Sequence, residues 1–301
     1  MKEQSSRPSK KTVASVGAGK PKLGALRSRS FSGPKAPRNA DKYALYEASV
    51  QSPEAHVEFL ERICRELRPS SETLLLREDF CGTHALSTCW VRRGATRRAV
   101  GVDLDPEPLA WGKKRNARLP LSVRRRLEMR RGNVLEHQEP SAEIAIACNF
   151  SFFVFKSREL LLRYFQAARA SLVDDGILVL EMAGGPGMIE STRERKTVRI
   201  GPKKKKLTYV WDQQSFDPIT HDARYAIHFK FPDGSRLTDA FTYDWRLWSI
   251  PEVREALLDA GFSSTAVYWE TTHRGEGTGE YVLSERGDNA FAWIAHVVGI
   301  K

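Results

Sequence analysis

Two carboxylates define the chemistry to look for. Glu78 stands in "LREDFCGTHAL" (76–86), behind the apolar run Leu74–Leu76 and ahead of a stretch with helical spacing. Asp103 follows 25 residues later, at the end of "RAVGVDLD". An acid at the end of a second strand can accept hydrogen bonds from both hydroxyls of a ribose. Asp105 is the better helix cap, because Pro106 follows it at the first helical position. That leaves Asp103 free for a ligand. The loop after Glu78 has a single glycine, Gly82. A dinucleotide loop uses G-x-G-x-x-G to bring backbone amides up to a pyrophosphate. Phe80 and His84 occupy places where such glycines would sit, so a pyrophosphate is poorly served. A nucleoside cofactor without phosphates makes a weaker demand.

These residues need strands to hold them. Leu74–Leu76 reads as a short buried strand, "THALSTCWVRR" as a helix stopped at Gly94, and "RAVGVDLD" (98–105) as a second strand. "LEMRRGNV" (127–134), "AEIAIACNF" (142–150) and "ILVLEMAGG" (177–185) are further strands, with a helix capped by Ser157 before the last. Strands alternating with helices predict a doubly wound, mostly parallel sheet covered on both faces. Ligands then bind beyond the carboxyl ends of the strands. From about 195 to 244 the helical spacing disappears. Tyr225, Ile227, Phe229 and Phe231 alternate with polar or small residues, and "PDGS" is a hairpin turn. This predicts a small antiparallel β cap inserted in the α/β domain. Ser249 and Glu252 then form a capping box. "SSTAVYWE" and "AFAWIAHVVGI", joined by a turn-rich loop at 271–289, predict a C-terminal antiparallel hairpin at one sheet edge, for seven strands in all.

The chain has 301 residues and a net charge of +11. Residues 1–40 carry ten Lys or Arg against one acid, a net +9, which leaves +2 for the rest. The tail, rich in Ser, Gly and Pro, is expected to be disordered and solvated. Weak contact with nucleic acid or a partner, or an organelle transit role, are its other readings. A near-neutral body over residues 41–301 does not suggest a nucleic-acid groove. No run of 18 apolar residues suggests a membrane span. Cys64, Cys81, Cys89 and Cys148 lack metal-ligand spacing, so they are read as reduced thiols in a cytoplasmic protein with no metal centre. "GPKKKK" (201–206) reads as a solvated turn of the cap, and His84 as a helix-start residue.

The order of these motifs resembles the class I S-adenosylmethionine-dependent methyltransferases over roughly residues 40–301. "EDFCGTH" is similar to that family's first loop, with Glu78 in the acid position and Gly82 in that of the middle glycine. "VGVDLDPEPLAWGKK", "GNV" (132–134) and "ACNFSFFVF" (147–155) resemble its later motifs. The resemblance implies S-adenosylmethionine as cofactor. Glu78, Phe80, Cys81 and Gly82 would line its methionine end. Asp103 would bind the ribose, with Leu104, Asn133 and Val134 at the adenine. Asn149 and Phe150 would lie beside the transferable methyl group.

"DKYALYE" carries a second resemblance, to small-molecule N-methyltransferases acting on amino sugars or glycine. Tyr43 and Tyr46 would close over a sulfonium cation, which aromatic faces favour, and with Asn149 they are the expected catalytic residues. Arg246 in "DWRLW" could anchor an anionic substrate group or form a structural ion pair. The expectation is methyl transfer to a small-molecule acceptor, at nitrogen because no obvious base is present. A methyltransferase of nucleic acid or protein, a nicotinamide oxidoreductase and a non-catalytic module on the same fold are the alternatives.

Overall fold

A computed structural model describes residues 40–69, 72, 74–200, 205–273 and 276–301. The basic tail, and with it the expectation of disorder, lies outside these residues, as does most of "GPKKKK". The chain opens with α1 (Lys42–Val50) and α2 (Pro53–Leu67). There follow β1 (Leu75–Asp79), α3 (Ala85–Arg92), β2 (Arg98–Asp103), α4 (Pro106–Asn116), the single turn α5 (Leu121–Arg124), β3 (Leu127–Arg131), β4 (Ala142–Ala147), α6 (Arg158–Ala170) and β5 (Leu172–Gly184). Four strands come next: β6 (Arg193–Ile200), β7 (Lys205–Phe216), β8 (Asp222–Lys230) and β9 (Arg236–Arg246). The chain ends with α7 (Ile250–Asp259), β10 (Ser264–His273), β11 (Glu276–Leu283) and β12 (Trp293–Ile300).

The main sheet has eight strands in the order β11-β10-β12-β5-β4-β1-β2-β3. β1 to β5 are mutually parallel, and β12 lies antiparallel between β5 and β10. Side chains alternate between its faces as the two-residue period of a strand requires. Leu76, Ile144, Ile146, Ile177 and Val179 pack under α2 and α3. Leu75, Ala145, Leu178 and Leu180 pack under α6 and α7. Helix starts follow the caps: Asp105 accepts from the Glu107 N–H, Ser157 from that of Leu160, and Ser249 with Glu252 forms the capping box.

Two expectations are corrected. The sheet has eight strands, because the presumed loop at 271–289 contains β11, paired with β10. The final antiparallel pair does not itself form the edge, since β12 is inserted between β10 and β5. The inserted β6–β9 make a separate four-stranded antiparallel sheet in chain order. Its core of Val198, Leu207, Ile227, Phe229 and Leu237 includes Leu45 of α1.

Candidate active site

The loop after β1 keeps a glycine-type backbone without the glycines. Phe80, Gly82 and His84 have φ of 55°, 50° and 66°, all in the left-handed region. Side chains other than glycine's are uncommon there and carry a conformational cost. Each replacement has a packing role. The Phe80 ring meets Phe155 and Tyr164 at centroid distances of 5.9 and 5.7 Å. The His84 ring is fully buried over Gly101 of β2, where no side chain competes for the space. Burial, reinforced by Arg115, lowers His84 to about 3, so the ring is neutral. Beneath the loop, Asp79 accepts hydrogen bonds from Nε and Nη2 of Arg77, at 2.8 and 2.7 Å, and from the Tyr164 hydroxyl at 2.9 Å.

The carboxylates expected to hold a ligand differ in orientation. Asp103 ends β2 at the crevice. One oxygen accepts from the Gly82 N–H at 2.7 Å and the other from the Asp105 N–H at 2.9 Å. Burial pushes its pKa up, against the pull of these N–H groups. A carboxylate has about four acceptor positions, so two remain for hydroxyl donors. Glu78 turns inward instead. It accepts from the backbone N–H and hydroxyl of Ser87 at 2.9 and 2.6 Å, tying β1 to the first turn of α3. Burial raises its pKa to about 7. Leu104 is exposed beside Asp103, Cys81 and Val134 are buried, and the Asn133 Oδ1 accepts from the Leu135 N–H at 3.0 Å in a local turn.

Helix α1 lies across this crevice. Asp41 caps it and accepts from Trp111 Nε1 at 2.6 Å, Lys42 pairs with Glu107 at 2.9 Å, and Glu47 accepts from Thr83 Oγ1 at 2.5 Å and pairs with Arg115. Tyr43 is buried between Trp111 and Phe241, with Asp103, Asp105 and Glu107 close enough to raise its pKa beyond the effect of burial. Tyr46, one turn on, meets the same Phe241 ring at 4.7 Å and is hydrogen-bonded to Tyr243 of the cap. Burial pushes it up to about 12.

Tyr46 faces a cavity of about 380 Å³ between α1, the cap and the carboxyl ends of β4 and β5. The cap contributes Tyr209, Trp211, Tyr243 and Trp245. The floor is Asn149, Phe150 and Glu181. Asn149 and Phe150 both have positive φ, 53° and 56°, which turns the chain sharply at the end of β4. Glu181 received no role in the sequence reading. Its Oε2 accepts from the Asn149 N–H at 2.5 Å, and its Oε1 lies 3.4 Å from His56 Nε2. Burial opposes its charge, but His56 holds it down at about 2. A larger cavity of about 570 Å³, lined by Arg65, Arg68, Trp90 and Arg97, opens near the amino end of β1, away from this chemistry.

The structure thus gathers Tyr46, Asn149 and Phe150 around one cavity and places Asp103, Gly82 and Tyr43 at the neighbouring crevice. Arg246 is not part of either. It donates to the Lys156 carbonyl and to Glu252, both at 3.2 Å, and stacks on Trp248 at 3.8 Å, pinning β9 to α7.

The strand order, the antiparallel insertion of β12 between β5 and β10 and the inserted cap define a methyltransferase fold. DesVI of Streptomyces venezuelae superposes with a TM-score of 0.64 at 18% identity, over 86% of this chain and 97% of that one. The sugar N-methyltransferase KedS8 from a Streptoalloteichus species gives 0.61 at 17%, over 92% and 99%. The amino pentose methyltransferase CalS10 from Micromonospora echinaspora, solved with S-adenosylmethionine bound, gives 0.61 at 18%, over 84% and 95%. No family model and no curated protein sequence matches the chain.

Proposed function

We propose that the protein is an S-adenosylmethionine-dependent methyltransferase acting on a small-molecule acceptor, at nitrogen. The observation that carries this is the aromatic-walled cavity of about 380 Å³ beside the crevice that ends at Asp103. Its volume lies within the range of small-ligand sites, roughly 300–1,000 Å³. The residues fit the cofactor. Asp103 keeps acceptor capacity for a ribose, the β1 loop has one glycine where a pyrophosphate loop has three, and aromatic rings suit a sulfonium. S-adenosylmethionine would supply the activated methyl group. The chain's own work is alignment and exclusion of water. Asn149 and Phe150 fix the floor, the cap aromatics wall the acceptor, and α1 covers both chambers. An amine acceptor needs only to lose a proton, which agrees with the absence of an assigned base.

S-adenosylhomocysteine is expected to raise the melting temperature of the full-length protein by mass action on the native state. No shift at millimolar ligand, together with a shift by NADH, would overturn the cofactor assignment in favour of a nicotinamide.

A further inference from the structure

At the floor of the acceptor cavity, three elements bring together groups far apart in the chain. His56 comes from α2, Cys148 from the turn after β4 and Glu181 from β5. His56 Nε2, Cys148 Sγ and a Glu181 carboxylate oxygen all lie within 4.8 Å of one another. We propose that these three side chains form a binding site for zinc. Zinc holds nitrogen, sulfur and oxygen ligands at about 2.0–2.3 Å, so tetrahedral ligands stand about 3.5 Å apart. Small side-chain rotations close the observed trio onto one centre. One thiolate, one imidazole and one carboxylate form a borderline-soft set that suits zinc better than magnesium or calcium.

Each oxygen or nitrogen ligand is already oriented by a hydrogen bond from its far side. His56 Nδ1 lies 3.0 Å from the Ser52 carbonyl, which leaves Nε2 as the ligand atom. The Asn149 N–H takes Glu181 Oε2 and leaves Oε1. Such outer partners are what fix ligating imidazoles and carboxylates in metal sites. The His56–Glu181 separation of 3.4 Å exceeds the roughly 2.7–2.9 Å usual for a charge-assisted hydrogen bond.

A second observation is independent of the trio. His296 of β12 stands opposite Glu181 in the β5–β12 register, and its ring is 6.1 Å from that of His56. It is 1% exposed, and neither ring nitrogen has a hydrogen-bond partner among the described residues. A buried imidazole with both nitrogens unpaired is costly and calls for an absent partner. A water held by the metal would offer one. With three protein ligands, the fourth position is open, as in catalytic zinc sites. Of the three ligands Glu181 lines the cavity, so an open position on the metal would lie next to that chamber. Metal binding stands independently of the methyltransferase reading. Only the use of the open position, to take an acceptor heteroatom, rests on that reading.

The test is zinc content of the full-length protein by mass spectrometry after exhaustive dialysis, with cobalt substitution followed by absorption. We expect stoichiometric zinc, a thiolate-to-cobalt charge-transfer band, and loss of both in Cys148→Ser and in His56→Gln. Trace zinc in the wild type, or zinc unaffected by both substitutions, overturns the site. The S-adenosylhomocysteine melting shift is read on the same samples. Its persistence shows that the variants are folded. If it persists without zinc binding, the metal site alone fails; if it is lacking in zinc-loaded wild type, the methyltransferase reading alone fails.

Discussion

The His84 ring lies against the Cα of Gly101, so that a Cβ added to Gly101 would fall 2.4 Å from His84 Cδ2 and 2.6 Å from Nε2. The histidine in the loop and the glycine in β2 are therefore one packing unit. Gly101→Ala is expected to lower stability by roughly 1–3 kcal/mol through overpacking. In a His84→Gly background the same change should cost less, the remainder coming from Cys81 Cβ, 2.8 Å from the added atom. Urea unfolding of the four proteins measures the difference, and strict additivity would show that the ring does not set the limit.

Asp103→Ala removes the crevice carboxylate that receives the Gly82 and Asp105 N–H groups. Loss of charged hydrogen bonds to a ribose, at about 1.5–3 kcal/mol, corresponds to roughly 10- to 100-fold weaker S-adenosylhomocysteine binding by calorimetry. An unchanged affinity would refute the ribose role.

Glu78 predicts a pH dependence. Its folded value, about 7, stands above the ordinary 4.5 because of burial. The folded state therefore holds the proton more tightly than the unfolded one. The stabilisation is fully present below about pH 4.5 and is lost as pH rises through 7, a change of roughly 3 kcal/mol at most. Glu78→Gln should flatten that part of the stability–pH curve, and chemical unfolding at pH 5 and pH 8 checks it. A variant curve parallel to the wild type would place the titration elsewhere.

Asn149 and Tyr46 line the cap cavity proposed to take the acceptor. Asn149→Ala is expected to reduce kcat by about 10²-fold, as misalignment in a preorganised site does. Cofactor affinity should change by less than about threefold. Tyr46→Phe should raise the acceptor KM more than it lowers kcat. Steady-state kinetics on an acceptor found by metabolite screening separates the two. Equal losses of cofactor and acceptor binding in both variants would argue for general disruption of the site.

Glu47 joins α1 to Thr83 and Arg115 beside the crevice of Asp103. Glu47→Ala should speed S-adenosylhomocysteine release about tenfold. Stability should fall by less than about 1 kcal/mol, since the pair is partly exposed. Stopped-flow displacement reads the release rate. An unchanged rate would mean that α1 does not cover the cofactor.

Much of the parallel sheet was legible because its strands are buried apolar runs and its helices carry caps, as Asp105, Ser157 and Ser249 show. β11 was not. Its "EGTGEYVL" is almost wholly exposed, so no burial alternation marks it, and its pairing depends on β10 being present. Phe80 and His84 hid the loop's conformation, since residue type suggested ordinary backbone where the φ values are those of glycine. The His56–Glu181 contact spans 125 positions. Nothing in local spacing announces it. It follows from β4 lying beside β5 and α2 crossing the same face. Arg246 carried a sequence signal for charge recognition, but proximity to Glu252 and Trp248 uses that charge in the fold.

Helix α1 is a wall of two chambers: Tyr43 and Glu47 face the crevice of Asp103, and Tyr46 faces the cap cavity. A partition shared in this way links the two occupancies thermodynamically. A guest that draws α1 down on one side changes the free energy of filling the other, and reciprocity requires the second guest to return the same factor to the first. The nine residues from Lys42 to Val50 are thus where cooperativity between the two ligands would be set, without any change in the sheet beneath.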